Sequence, residues 1–139
     1  GLNNYKSSGV NMEIGFFKEF STSFDQVESS LRTSLADQGF GVITEIDVQE
    51  TMRAKLGKEY PPYKILGACN PPVAYEALTR NQDIGLMLPC NVIIHEQPSG
   101  KVRVGVVNPA MMMSMTDEPG MENMADDIKS RLITALESV

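Results

Sequence analysis

The sequence lacks most of the features that would name a function outright. It has no excess of basic residues: twelve Lys and Arg stand against eighteen Asp and Glu, for a net charge of −6. Nucleic-acid binding needs a basic face to neutralise phosphates, and no Lys/Arg cluster is visible, so no nucleic-acid partner is expected. No apolar run approaches the roughly eighteen residues of a membrane span, so no membrane partner is expected either. No secretory signal is visible. No G-x-G-x-x-G follows the first strand-like stretch, which disfavours a doubly wound dinucleotide fold. There is one histidine, His95, and no Ser-His-Asp grouping. No spacing marks a paired-carboxylate site for acid–base work. Cysteine is nearly absent, with only Cys69 and Cys90. Whether the domain is an enzyme therefore stays open. No catalytic residue is assigned, and no metal or cofactor is implied.

What is present is an ordinary globular composition: 139 residues, 42% apolar and 22% charged. That is enough chain for one domain with a core of its own, so the cysteines need not be cross-links. Residues 1–11, "GLNNYKSSGVN", are polar and begin with Gly. They read as a flexible segment, either a cloning remnant or native chain left after cleavage upstream. Residues 12–139 read as a single α+β domain. A cytoplasmic location is the expectation, and an export signal removed upstream is the alternative.

The punctuation along the chain is legible. "MEIGFFKEF" at 12–20 reads as a strand, with Ile14, Phe16 and Phe20 on one face. Ser23 then caps a helix, and Gln26 stands at capping-box spacing. Val27, Leu31 and Leu35 recur at every fourth position and form one apolar stripe. Gly39 stops the helix. The β-branched stretch 40–46 reads as a strand. Asp47 caps a short helix over 48–56, ended by Gly57. A strand over 61–69 leads to Asn70, which caps a third helix with Pro71 at its first position. Residues 88–96 and 101–108 read as a hairpin joined by "QPSG". A long helix over 120–137 carries Met124, Ile128, Leu132 and Leu136. The order β-α-β-α-β-α-β-β-α predicts two layers: a mixed or antiparallel sheet of about five strands with helices packed on it.

Four stretches carry a resemblance. They are "GFGVITEIDV" at 39–48, "ILGACNPPVAY" at 65–75, "IGLMLPCNVII" at 84–94 and "VGVVNP" at 104–109. On these the chain resembles the bacterial and archaeal Domain of Unknown Function family 302, over about residues 12–138. The resemblance implies a compact α+β domain with a TATA-binding-protein-like arrangement, often found as a dimer. It implies no known reaction. The run "MMMSM" is richer in Met than the resemblance leads one to expect.

The two cysteines sit in similar settings, "ACNPP" and "LPCN". Each is fixed at an element boundary, Cys69 by the Asn-Pro helix start after it and Cys90 by the Pro before it. Three readings compete for them: a redox dithiol, ligands to a soft metal, or small buried residues. The helix start after Cys69 would favour a thiolate there through its orphan amides and positive end. Asn70, Tyr75 and Asn91 are candidate ligand contacts beside the cysteines. His95 falls opposite Cys90, Val92 and Ile94 by strand alternation and reads as a solvated histidine near a turn. Thioethers suit Cu(I), but the consecutive methionines at 111, 112 and 113 cannot all face one site.

Two functional classes follow. In the first, the domain binds a small molecule or uses its thiols at a site where Cys69, Asn70, Cys90 and Asn91 converge. In the second, it is a non-catalytic module with structural cysteines that forms a homodimer through its sheet or its Met-rich loop.

Overall fold

The computed structural model describes residues 13–139. The expected loose segment 1–11 lies outside them. Five strands form one sheet: β1 (Gly15–Phe20), β2 (Gly41–Asp47), β3 (Tyr63–Cys69), β4 (Cys90–Glu96) and β5 (Val102–Val107). Their order is β1-β5-β4-β3-β2, and every neighbouring pair is antiparallel. Of the mixed and antiparallel alternatives, the antiparallel one is therefore realised. The hairpin expected from "QPSG" joins β4 and β5, with Ile94 opposite Val104.

Each long helix starts where the sequence marks it. Helix α1 (Phe24–Asp37) begins at Ser23, whose hydroxyl accepts the Gln26 N–H at 3.2 Å. The other half of the expected capping box is absent, because the Gln26 side chain accepts from the Thr22 hydroxyl instead. Helix α2 (Val48–Leu56) begins at Asp47, which accepts the Glu50 N–H at 2.9 Å. It ends at Gly57 in the left-handed region, φ +63°, where a side chain would be strained. Helix α3 (Pro71–Arg80) begins at Asn70, which accepts the Val73 N–H at 3.3 Å.

The core forms on one face of the sheet. Val102, Val104 and Val106 alternate inward from β5 and are almost fully buried, as are Leu66, Val92 and Ile94 on β3 and β4. Against them pack Val27, Leu31 and Leu35 of α1, together with Ile128, Leu132 and Leu136 of helix α5 (Met121–Glu137). Burying each such side chain stabilises by about 1.5–3 kcal/mol before entropy is counted. Phe16 joins this core, but Ile14 does not: it lies before β1 and is 47% exposed.

Among the described residues, no helix core packs on the opposite face of the sheet. Phe17, Ile65 and Ile93 are half-buried there, and Ile46 is exposed. Alternation puts Gly105 on this face, and only glycine fits there because the Phe17 ring stands 2.6 Å from where a Cβ would be. His95 also lies on this face, as alternation requires, but it is not simply solvated. Its ring stacks on Tyr63 at 5.0 Å. Burial, and then the Arg103 charge, push its pKa below the ordinary value. Along the α1 edge, Glu28 bonds Arg32 at 2.8 Å and Lys64 at 2.9 Å. Burial opposes its charge, yet these two cations hold its carboxyl below the usual range.

Two elements were not expected. Residues Gln82–Met87 form a 3-10 turn capped by Asn81, and Pro109–Met113 form a one-turn helix, α4, capped by Asn108. Both fold the chain back toward the start of α5. There Ala77, Ile84 and Met121 form a second small core.

Candidate functional site

Between the main core and this second one lies a cavity of about 340 Å³. That volume falls within the range of small-molecule pockets. Helix α3 supplies one wall through Val73, Ala74, Ala77 and Leu78, a stripe at helical spacing. The same spacing turns Tyr75 away from the cavity, and it is 76% exposed. Met121, Met124, Ala125 and Ile128 of α5 form the facing wall. Met112 and Met113 of α4 and Met87 of the 3-10 turn complete it. A register shift in β2 between Val42 and Thr44 leaves Ile43 62% exposed at the rim.

Both cysteines line this cavity. Ala68 pairs with Cys90 across β3 and β4, so Cys69 lies one step along, on the order of 6 Å away between Cα atoms by strand geometry. Regular alternation would turn the two to opposite faces. Strand β3 ends at Cys69, however, and its side chain reaches the same cavity as that of Cys90. Both are free thiols. Cys90 packs against the main core, and its pKa is pushed up to about 11, first by burial and second by the nearby Cys69.

The helix start beside Cys69 does not supply the free amides expected of it. Pro71 and Pro72 have no N–H, the Val73 N–H is taken by the Asn70 side chain, and the Ala74 N–H by the Asn70 carbonyl. The Asn-Pro-Pro sequence that starts the helix thus leaves no free amide on residues 71–74 for an anion. Asn70 lines the cavity as the cap of α3. Asn91 does not reach it. It is exposed on the open face of the sheet, opposite Gly67. Of the five candidate contacts, the structure brings together Cys69, Asn70 and Cys90, and it separates Tyr75 and Asn91 from them.

The lining is otherwise apolar, and among the described residues no carboxylate or histidine contributes to it. No buried side-chain nitrogen or oxygen among the described residues lacks a hydrogen-bond partner. The arrangement can therefore enclose a guest of low polarity and expose it to two thiols. It shows no acid–base pair to act on that guest. Sequence reasoning missed most of this wall. The stripe at 73, 74, 77 and 78 was readable as an apolar face of α3, but nothing local said that Met87 and Met113 would meet it.

Among the described residues, no helix is long and apolar enough to cross a membrane. A solved structure, that of the uncharacterized conserved protein DUF302 from Bacillus stearothermophilus, superposes with a TM-score of 0.84 at 30% identity. The match covers 91% of this chain and 98% of that one. No curated protein matches this chain. The sequence profile described as "Domain of unknown function DUF302" matches residues 16–139, all of the sheet and its helices except Gly15. The resemblance read from the four stretches is thereby established, and the chain belongs to the DUF302 family.

Proposed function

We propose that the domain is a binding domain that takes a small guest of low polarity into the cavity beside Cys69 and Cys90. The observation that supports this reading is the cavity itself: about 340 Å³, walled by α3, α4 and α5, with both free thiols in its wall. An environment-sensitive apolar dye tests it. One dye should bind per chain with an emission rise, and Ala74→Trp should weaken binding at least tenfold. Ala74 lines the cavity but is only half-buried, so the indole fills the space without removing a core contact. Unchanged dye binding in a folded Ala74→Trp variant would sink the reading.

A second reading pairs two copies as a homodimer. It is favoured by the open face of the sheet, where Phe17, Ile46, Ile65 and Ile93 lie together outside the helix-covered core. The Met-rich stretch is a weaker motive than its sequence suggested, because Met112 and Met113 turn into the cavity and Met115 alone stands 78% exposed. Sedimentation equilibrium at micromolar concentration should give twice the chain mass of 15.3 kDa. A single-chain mass at every concentration excludes the dimer.

A further inference from the structure

The cavity wall holds far more sulfur than an apolar guest requires. Among the described residues, both cysteines and five of the eight methionines line it. Those five come from the 3-10 turn, α4 and α5, so a single Met-rich run does not account for them. Leucine would fill the same space with less loss of side-chain entropy. We propose that this cavity binds one soft monovalent metal ion of the Cu(I) class, held by one cysteine thiolate and by methionine thioethers. The inference rests on the cavity being open to a guest, the reading given above.

The donor set selects the ion. Mg²⁺ and Ca²⁺ need oxygen ligands, and the described lining offers no carboxylate. A closed Zn²⁺ site needs four Cys, His or carboxylate ligands, and the wall has two cysteines. Thiolate and thioether together are the ligands of Cu(I). Charge sets the number of thiolates. No Lys or Arg among the described residues lines the cavity. Two thiolates on Cu⁺ would leave an uncompensated negative charge in apolar surroundings, which is costly. One thiolate gives a neutral complex. In the binding step one S–H bond breaks, one S–Cu bond forms and a proton passes to solvent. No electron is transferred, and the copper stays Cu(I). The cavity is larger than a bare ion, but each methionine has a flexible, unbranched side chain that can close on it.

The test is anaerobic titration of the reduced protein with Cu(I) against a competing chelator, beside the dye assay. The wild type should retain one Cu(I) per chain, with native mass spectrometry showing one proton lost per copper. Met112→Leu/Met124→Leu conserves volume, so the variant should stay folded, read by circular dichroism, while its copper affinity falls at least tenfold. If the double variant unfolds, Met112→Leu alone, at a half-buried position, carries the same comparison. Dye binding without copper retention, or copper held equally by the Leu variant, overturns the metal proposal and leaves the cavity reading standing. Failure of both dye and copper overturns both.

Discussion

Cys69→Ser should remove most of the reactivity of the folded, reduced, metal-free protein toward iodoacetamide at pH 8, whereas Cys90→Ser should remove little. The asymmetry comes from Cys90, whose thiol burial pushes up to about 11 from an ordinary 9.0. At pH 8 such a thiol is ionised to about one part in a thousand, against about one in ten for the ordinary one, and only the thiolate attacks. A more basic thiolate is also a better nucleophile. With a Brønsted slope of about 0.4–0.5, that returns a factor of about eight. The deficit in ionisation wins, and Cys90 should react about tenfold more slowly than an ordinary thiol, before restricted access slows it further. Mass spectrometry of the alkylated peptides checks this directly. Equal labelling of the two cysteines in the wild type, or equal loss of rate in the two variants, would show that the cavity does not distinguish them.

The same asymmetry separates what was legible in the sequence from what was not. The direction of the difference was expected, but from a helix-end effect at Cys69 that required free amides. Two prolines and the Asn70 cap leave none on residues 71–74. The cause lies instead in the packing of Cys90 against the main core, and burial depends on residues distant in sequence. Local signals fared well at three helix starts. Ser23, Asp47 and Asn70 each cap the helix that follows, because capping is a contact between residues three apart. Helix α4 carried the same kind of signal and went unread. Asn108-Pro109 repeats the Asn-Pro start of α3, and the Asn108 side chain accepts the Ala110 N–H at 3.1 Å. It was masked by the β-branched strand running into it. The cavity could not be read at all, since its walls meet only once α3, α4 and α5 are packed. Alternation placed Asn91 on the face away from Cys90, as it did His95, yet the similarity of the two Cys-Asn pairs suggested convergence. Strand geometry decides such cases over motif similarity.

Stability should fall as pH rises from 9 to 11, and Cys90 should carry a separable share of that loss. In the unfolded chain its thiol returns to an ordinary value near 9.0, while folding raises it to about 11. Below pH 9 both states hold the proton, so the group contributes its full stabilisation. Between the two values the unfolded state loses its proton and the folded state keeps it. Unfolding is then favoured by about 1.4 kcal/mol for each pH unit, or about 2–3 kcal/mol across the window. Above pH 11 both states are ionised, and the slope from this group vanishes. Lysine and tyrosine also titrate in this range, so the comparison must be between proteins. Cys90→Ala deletes the titration and leaves the other groups in place. Urea midpoints measured from pH 8 to pH 11 under reducing, metal-free conditions should fall more steeply for the wild type than for the variant. The variant's absolute stability is set by the small space it opens, which does not depend on pH, so only the difference in slope matters. Parallel curves would mean that Cys90 ionises in the folded protein as readily as in the unfolded chain. The cavity wall would then be far wetter than its apolar lining indicates.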